Sequence, residues 1–371
     1  MKILVCFGTR PEAIKMAPVI YALRIANIDH QVCVTAQHRS MLDQVLSFFE
    51  IEPDYDLDLM MPGQSLNELS ARIITAIDGV LESSQPDMVL VQGDTTTAAM
   101  TALAAFHRGV DVGHIEAGLR THNLGSPFPE EMNRQITARM SQLHFAPTKR
   151  AQANLLNEGI VASKITVTGN TVIDALLWSM DKLSQDFNNE AIASLRDIRD
   201  PSKKIILVTA HRRENFGSGI KELCDALFTL AQRGDCQIIW PVHPNPEVQR
   251  ALTDEVKNAQ GISLIEPLDY PAFVWLMSQS QLIISDSGGI QEEAPTLHIP
   301  VLVTRDTTER QEAVDARTSI LVGMNKSRII EESVKLLDGL SHVLVQINPF
   351  GDGKAAEKIA SEILKYQHRP K

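Results

Sequence analysis

Acids and bases stand among glycine and proline in the segment HIEAGLRTHNLGSPFPEEMNR, residues 114–134. Its Glu116 and Glu130 are candidate catalytic carboxylates, and Asp94 in GDTTTAA and His211 in TAHRREN are candidates to join them. Gathered carboxylates raise one another's pKa, and nearby cations lower it. Such a group suits proton abstraction and return, with cations assisting a leaving group. The alternatives are that Asp94 is a helix N-cap and that His211 is structural.

Two cations in GTRPEAIK, Arg10 and Lys15, follow a glycine turn and lie near a predicted helix N-terminus. Their charge opposes the helix dipole there, which indicates an anion nearby. The alternative is that they are solvated surface charges of an ordinary turn.

A second candidate anion site is DSGGIQEEAP, in which Ser287, Gly288 and Gly289 follow an apolar run and begin a helix. Backbone N–H groups at such a turn can hold a phosphate, and Glu292 or Glu293 would face ribose hydroxyls. The glycine pair could equally be simple turn chemistry.

Arg310 in RDTTERQEA could bind a phosphate with two parallel hydrogen bonds, or it could pair with Glu309 or Glu312. Thr307 or Thr308 is expected to cap the helix that follows. No G-x-x-x-x-G-K-[ST], G-x-G-x-x-G or H-E-x-x-H pattern occurs in the sequence. The residues alone therefore predict a nucleotide-type phosphate site with acid–base groups and no metal or cofactor.

These polar clusters need a scaffold that brings them to one place. Short apolar runs alternate with amphipathic segments, which predicts parallel strands covered by helices on both faces. Predicted strands cover residues 2–7, 31–36, 87–92, 111–116, 143–147, 164–169, 204–210, 236–242, 262–266, 281–286, 300–304 and 319–323. Predicted helices of the first half include 12–24, 65–82, 96–107 and 131–141. Each polar cluster follows a strand, where ligands bind in doubly wound sheets.

Length and composition fit this scaffold. With 371 residues, of which 44% are hydrophobic and 22% charged, the chain has material for about two domains. The polar stretch between the two strand series places their division near residues 170–200, and a cleft between two such domains is the expected active site. A net charge of -11 argues against nucleic acid as a partner. No apolar run is long enough for a membrane span. Four separated cysteines predict buried free thiols and a cytoplasmic location.

Ten motifs in this order resemble the non-hydrolysing UDP-N-acetylglucosamine 2-epimerases of bacteria. They are FGTRPEAIKMAP, TAQHR, GDTTT, GHIEAGLRT, PFPEEMNR, TGNTVIDAL, TAHRREN, PVHPNP, DSGGIQEEAP and RDTTER, and with NPFGDGKAAEKI they span nearly the whole chain. The resemblance implies an α/β fold of two Rossmann-like domains of the glycosyltransferase-B type. It places an N-terminal domain with the catalytic carboxylates at 1–172 and a UDP-binding domain at 173–352. A C-terminal helix at 353–371 would pack back on the first domain.

The resemblance also implies an isomerase that interconverts UDP-GlcNAc and UDP-ManNAc through loss of UDP to 2-acetamidoglucal and its re-addition. The products would serve surface polysaccharide synthesis, in a cytoplasmic homodimer. Implied catalytic residues are Asp94, Glu116, Glu130 and His211. The substrate would also be bound by Arg10, Lys15, Leu268, Phe273, Ser287, Gly288, Gly289, Glu293 and Arg310. A second, allosteric UDP-GlcNAc site would involve Gln37, His38, Arg72 and His243.

The sequence departs from the usual motifs at Ser40, Gln92, Phe128, Gln311 and Arg317. At Arg317 a glycine is usual, and if that glycine has positive φ, arginine there carries strain. Four other functions remain open beside the one that the resemblance implies. They are a hydrolysing 2-epimerase, a 2-epimerase of a modified UDP-sugar, a glycosyltransferase on the same fold, and a nucleotide-sugar sensor without catalysis.

Overall fold

The computed structural model describes residues 1–36, 39–61, 63–185, 187–210, 212, 218–243, 245–340 and 348–367. The described chain divides into two compact units, Met1–Trp178 with Phe350–Lys371, and Ser179–Pro349. The predicted boundaries lay after residues 172 and 352. The first division falls later, between Trp178 and Ser179, and one helix, Thr171–Ser184, contains both the predicted and the observed position. The final helix, Ala355–Gln367, belongs to the first unit.

Unit 1 is a parallel sheet with strand order β3-β2-β1-β4-β5-β6-β7. Its strands are β1 (Lys2–Phe7), β2 (Asp29–Val34), β3 (Tyr55–Asp56), β4 (Met88–Gln92), β5 (Asp111–Ile115), β6 (Leu143–Ala146) and β7 (Ile165–Val167). Its helices are α1 (Arg10–Ile25), α2 (Arg39–Phe48), α3 (Leu66–Ser84), α4 (Thr96–His107), α5 (Glu130–Met140), α6 (Lys149–Asn157) and α7 (Thr171–Ser184), with α16 (Ala355–Gln367) from the end of the chain. A short 3-10 helix, Ala162–Lys164, precedes β7.

Unit 2 repeats this architecture with strand order β10-β9-β8-β11-β12-β13, again all parallel. Its strands are β8 (Lys204–Thr209), β9 (Cys236–Pro241), β10 (Ile262–Ile265), β11 (Leu282–Ser285), β12 (Val301–Val303) and β13 (Ser319–Leu321). Its helices are α8 (Glu190–Ile198), α9 (Ser218–Ala231), α10 (Pro246–Ala251), α11 (Asp254–Asn258), α12 (Tyr270–Ser278), α13 (Gly288–Glu293), α14 (Gln311–Asp315) and α15 (Lys326–Leu337). A 3-10 helix, Ala294–Leu297, follows α13.

Both sheets have the doubly wound order in which the strand sequence reverses beside the first strand. In unit 1 the reversal lies between β1 and β4, and in unit 2 between β8 and β11. The central strands are apolar throughout because helices cover both of their faces: Ile3–Phe7 of β1 are fully buried. The predicted Rossmann-like fold is thus confirmed in both halves.

The four cysteines are free and buried, as predicted from their apolar surroundings. Among the described residues, no helix has both the length and the apolar character needed to cross a membrane.

Candidate functional site

The turn between β1 and α1 is packed so tightly that only glycine fits at its first position. A Cβ on Gly8 would lie 2.2 Å from Thr35 Oγ1 and 2.6 Å from Thr97 Oγ1. Thr9 then caps α1 in a capping box with Glu12, so the helix begins at Arg10. This start places the half-buried Arg10 and Lys15 in the first two turns of the helix.

Lys15 forms an ion pair with Glu116, the residue that follows β5. The Glu116 carboxylate also accepts a hydrogen bond of 2.7 Å from Gln92 Nε2, at the end of β4. Only 6% of the Glu116 side chain is exposed, and its backbone is left-handed, with φ 62°. Non-glycine residues with this conformation are uncommon and cluster at functional sites. The structure therefore brings together two predicted site residues, one from α1 and one from the turn after β5.

Glu12 joins the turn after β1 to the turn after β4. Its buried carboxylate accepts hydrogen bonds from the Gly8 and Thr9 N–H groups, at 3.1 and 2.8 Å, and from the hydroxyls of Thr9 and Thr95, both at 2.7 Å. Burial raises the pKa of Glu12 to about 7, although these four donors act in the opposite direction. The Glu12 carboxyl group thus joins the start of α1, the helix that contains Lys15, to the turn that contains Asp94.

Asp94 does not cap α4, so the common structural explanation for this residue is wrong. Thr95 is the N-cap, and its hydroxyl accepts the N–H of Ala98 at 3.0 Å. The Asp94 carboxylate instead forms an ion pair with Arg134 of α5, and its backbone carbonyl accepts a hydrogen bond of 2.9 Å from Asn133 Nδ2. A quarter of the Asp94 side chain remains exposed (26%), which leaves the carboxylate accessible to a ligand.

His114, on β5, contacts the turn after β4 that contains Asp94. Its Nε2 lies 2.7 Å from the carbonyl oxygen of Gly93, and because a carbonyl only accepts, Nε2 carries the proton. Burial lowers the pKa of His114 to about 4, so the imidazole is neutral at physiological pH. It acts as a fixed donor to the residue before Asp94.

Glu130, the third candidate carboxylate, is the first residue of α5 and is half-buried. Its side chain makes no ion pair with any other residue in the described part of the chain. Phe128, two residues earlier, is 68% exposed. Glu130 shares α5 with Asn133 and Arg134, which contact Asp94, so both carboxylates are linked to the same helix.

In unit 2, Arg310 lies against the turn that begins α13. A Cβ on Gly288 would lie 3.0 Å from Arg310 Cζ, so a larger residue there would require the guanidinium to shift. Arg310 Nε donates to Glu292 Oε1 at 2.9 Å, and Nη1 lies 3.8 Å from Glu309 Oε2. Arg310 therefore does pair with neighbouring acids, as one sequence interpretation held, and it also stands beside the predicted phosphate turn.

The other residues of this turn are held by their own contacts. Ser287 is at the N-cap position of α13, and its N–H bonds to Ser285 Oγ at 2.9 Å. Glu293 is buried and accepts a hydrogen bond of 3.3 Å from the Tyr270 hydroxyl. Gly289 has room for a Cβ, with Glu293 Oε2 at 3.8 Å as its nearest contact.

The structure does not support Thr307 or Thr308 as the N-cap of α14, since Arg310 occupies that position without a capping side chain. Thr308 Oγ1 instead bonds to Gln291 Oε1 at 2.7 Å and accepts the N–H of Arg310 at 3.1 Å. This threonine fixes the backbone of Arg310. Leu268, after β10, and Phe273, in α12, are half-buried in the same unit.

Three predicted residues, His211, Gln37 and His38, lie outside the described residues. The remaining two of the predicted second site belong to different units: Arg72 is on α3 in unit 1, and His243 follows β9 in unit 2. Arg72 Nη1 lies 3.4 Å from Gln64 Oε1, and the exposed His243 accepts the N–H of Asn245 at 3.1 Å.

Sequence reasoning assigned no role to four residues that contact the candidate carboxylates or their turns, namely Glu12, Gln92, Asn133 and Arg134. A signal for two of them was present, because Asn133 and Arg134 stand three and four positions after Glu130 and so share its helix face. For Glu12 and Gln92 the partners are distant in sequence, and only the fold reveals them.

Within the described residues, no group of three or more His, Cys, Asp or Glu is arranged to hold a metal ion. Unit 1 instead has carboxylates with fixed cationic and amide partners at the carboxyl edge of its sheet. Such an arrangement can move a proton at a bound ligand. Unit 2 has an arginine and a glycine turn, which can bind an anion.

Comparison with known proteins points to one family. The sequence profile of the family described as UDP-N-acetylglucosamine 2-epimerase matches residues 22–364. The UDP-N-acetylglucosamine 2-epimerase of Escherichia coli K12 is 52% identical, over 97% of each chain. The UDP-GlcNAc 2-epimerase from Neisseria meningitidis, whose crystal structure is of the enzyme bound to UDP-GlcNAc, is 50% identical in sequence. The two structures superpose with a TM-score of 0.92 over 98% of this chain and 100% of that one. The Methanocaldococcus jannaschii enzyme in complex with UDP-GlcNAc and UDP is 36% identical with a TM-score of 0.84, covering 99% of this chain and 100% of that one. From its profile, its sequence identity and its fold, this chain belongs to the UDP-N-acetylglucosamine 2-epimerase family.

Proposed function

We propose that the protein is an isomerase that reversibly converts UDP-GlcNAc into UDP-ManNAc without hydrolysis. The observation that carries this proposal is the grouping in unit 1 of Glu116, Asp94 and Glu130, two of them in ion pairs, in a chain half identical to named epimerases. Inversion at C2 requires proton removal on one face and proton delivery on the other.

We propose an elimination and re-addition mechanism. A carboxylate takes the C2 proton while the C1–O bond breaks, so that the electron pair of the C2–H bond forms the C1=C2 double bond of 2-acetamidoglucal and UDP leaves with the electrons of the C1–O bond. UDP oxygen then adds to C1, and a second acid delivers a proton to the opposite face of C2. UDP kept bound makes its return effectively unimolecular.

The candidate groups of unit 1 have the chemistry for the proton transfers. Glu116 and Asp94 are held by Lys15 and Arg134, so their carboxylates keep a fixed direction. Glu130 is the third proposed acid–base group, and His211 is proposed to assist the departure of UDP.

Unit 2 is proposed to bind UDP. Arg310 and the backbone N–H groups at Gly288 and Gly289 suit the diphosphate, and the buried Glu293 suits the ribose hydroxyls. The further proposed binding residues are Arg10 and Lys15 for phosphate charge, Ser287 as a hydroxyl donor, and Leu268 and Phe273 beside the uracil.

We further propose that the enzyme is a cytoplasmic homodimer with a second, regulatory UDP-GlcNAc site at Gln37, His38, Arg72 and His243. Four free, buried cysteines suit a reducing compartment. The homodimer and the regulatory site are supported by the motif resemblance.

The test is incubation of the protein with UDP-GlcNAc in deuterated water, followed by NMR at C2. Deuterium should enter C2 of both UDP-GlcNAc and UDP-ManNAc without net release of UDP. Accumulation of free UDP with ManNAc would identify a hydrolysing enzyme instead. Absence of any exchange would exclude this substrate, and the same assay with a modified UDP-sugar would then test the nearest alternative.

A further inference from the structure

Helix α5 presents three polar residues on one face. Glu130, Asn133 and Arg134 are spaced i, i+3 and i+4, so their side chains neighbour one another along the helix. Asn133 and Arg134 are buried, whereas Arg139, a turn later, is exposed. Burial of a long cationic side chain is costly unless its charge is paired, so Arg134 needs a reason to be there.

Two residues of this face contact Asp94, one at its carboxylate and the other at its backbone carbonyl. The Arg134 guanidinium pairs with the Asp94 carboxylate, and Asn133 Nδ2 donates to the Asp94 carbonyl oxygen at 2.9 Å. Asp94 is the second residue of the turn after β4, and on its other side its neighbour Thr95 is fixed as the cap of α4. The backbone and the side chain of Asp94 are thus both set by α5.

Arg134 is anchored in turn by Glu131. Its Nη1 donates to Glu131 Oε2 at 3.2 Å. Glu131 is fully buried and also accepts the N–H groups of Thr121 and His122, at 3.0 and 3.1 Å, and Gln135 Nε2 at 2.9 Å. Burial tends to raise the pKa of Glu131, but these donors and the guanidinium lower it overall. The buried carboxylate fixes one side of the Arg134 guanidinium, so the other side meets Asp94 in one orientation.

We propose that Asn133 and Arg134 are positioning residues that hold Asp94 in register with Glu130, so that one helix sets the relation between two proton-transferring carboxyls. This inference rests on the proposed function. Misplacement of a reacting group by about 1 Å can cost on the order of 100-fold in rate. The Arg134 guanidinium donates to Glu131 through Nη1 and to Asp94 through Nη2, so one planar group bridges two carboxylates, a geometry that an ammonium group does not reproduce.

The experiment compares the full-length variants Arg134→Met, Arg134→Lys and Asn133→Ala with the wild type, and uses Arg139→Met as the matched control on the same helix. Steady-state kcat and KM for UDP-GlcNAc and deuterium entry at C2 are measured, with circular dichroism and thermal unfolding as tests of folding. We expect kcat to fall about 100-fold in Arg134→Met, at least about 10-fold in Arg134→Lys and about 10-fold in Asn133→Ala, with KM within about threefold. Arg139→Met should keep wild-type kcat.

A double-mutant cycle with Asp94→Asn separates positioning from general structural damage. If Arg134 acts through Asp94, adding Arg134→Met to Asp94→Asn should lower the residual exchange rate by less than about threefold. Additive losses, or a changed KM with unchanged kcat, would overturn the inference. A wild-type kcat in folded Arg134→Lys and Asn133→Ala would overturn the inference as well. These two variants test it even if Arg134→Met fails to fold. Failure of the proposed function is a separate result, because the wild type itself would then show no exchange.

Discussion

At the residue scale, Asp94 and Glu116 have similar surroundings. Each residue follows the C-terminal end of a strand. Each carboxylate pairs with a cation, and each residue accepts a hydrogen bond from a side-chain amide. For Glu116 the partners are Lys15 and Gln92. For Asp94 they are Arg134 and Asn133, the latter through the backbone carbonyl. Preorganised partners of this kind spare the reorganisation that a free carboxylate would need during proton transfer.

Replacing either carboxylate by its amide tests the proposed proton transfer. Asp94→Asn and Glu116→Gln keep the side-chain shape but remove the proton acceptor, so we expect turnover to fall by about 100-fold to 10,000-fold with folding retained. Turnover is followed as C2 deuterium exchange. Asp78→Asn, which removes half of an exposed ion pair with Arg108, is the control and should leave turnover unchanged. Near-normal exchange in a folded amide variant would remove that residue from the catalytic set.

Arg317 has the positive φ that the usual glycine at this position suggested. It directly follows the C-cap of α14 and has φ 57°, with its N–H bonded to the Val314 carbonyl at 2.9 Å. A non-glycine residue in this conformation costs about 1 to 2 kcal/mol, and glycine loses about 0.5 to 1 kcal/mol more backbone entropy on folding.

We therefore expect Arg317→Gly to raise the free energy of unfolding of unit 2 by up to about 1 kcal/mol. Arg317→Ala is the matched control, since it removes the same exposed side chain but keeps the strained backbone, and it should give no gain. Urea unfolding followed by hydrogen exchange of unit 2 peptides measures the change, since tryptophan fluorescence would also report Trp178 of unit 1. Equal stabilisation by both variants would assign the effect to the arginine side chain.

At the scale of elements, the sequence predicted most of the scaffold because its strands are continuous apolar runs. The predicted strand 2–7 is observed as β1, and the other eleven predicted strands occur with ends that coincide or are shifted by one or two residues. Strand β3 was missed because Tyr55–Asp56 is too short to show a pattern. Long helices such as α3 and α4 were predicted from their periodicity and confirmed.

The contacts within the site could be predicted only in part. The clustering of polar motifs after strands followed from parallel topology, and it placed Glu116 and Lys15 at one sheet edge. Capping was misjudged: the choice between Asp94 and Thr95 depends on which side chain has a competing partner, and that partner, Arg134, is forty residues away in sequence. Such pairings depend on how helices pack, which one sequence does not disclose.

The N-terminus of helix α16 is capped by a buried carboxylate from another helix. Asp174 of α7 accepts the N–H groups of Ala355 and Ala356, at 3.2 and 2.8 Å, and so takes the role of an N-cap. Burial raises the pKa of Asp174 to about 6, against these hydrogen bonds. Because the folded state then holds the proton more tightly than the unfolded state, the contribution of this group to stability is fully present below the unfolded pKa. That contribution is lost as pH rises through about 6.

Asp174→Asn should remove this pH dependence. We expect the free energy of unfolding of the wild type minus that of the variant to fall by about 1 to 1.5 kcal/mol between pH 5 and pH 7.5. Guanidinium unfolding of both proteins at the two pH values gives this difference, in which all other titrating groups cancel. A difference that does not change with pH, or that grows with pH, would show that Asp174 titrates normally.

At the scale of the whole molecule, the chain leaves unit 1 within α7 and returns to it at Phe350, so the first unit is completed by the last residues. Helix α16 contributes fully buried Ile359 and Ile363 and packs with α1, and Tyr366 donates to Asp111 Oδ2 at 2.9 Å. Unit 1 is therefore a discontinuous domain, and α16 contributes to its core from a second stretch of the chain.

Ile363→Ala should accordingly weaken unit 1 while leaving unit 2 intact. Truncation of a fully buried isoleucine costs about 2 to 4 kcal/mol. Ile329→Ala in α15 is the matched control, because Ile329 is equally buried but belongs to the core of unit 2. Hydrogen exchange read by mass spectrometry should show lost protection in α1 and α16 for Ile363→Ala, and in α9 and α15 for Ile329→Ala. If each variant instead lowered protection equally across both units, the two halves would unfold as one cooperative body and the assignment of α16 to the stability of unit 1 alone would be wrong.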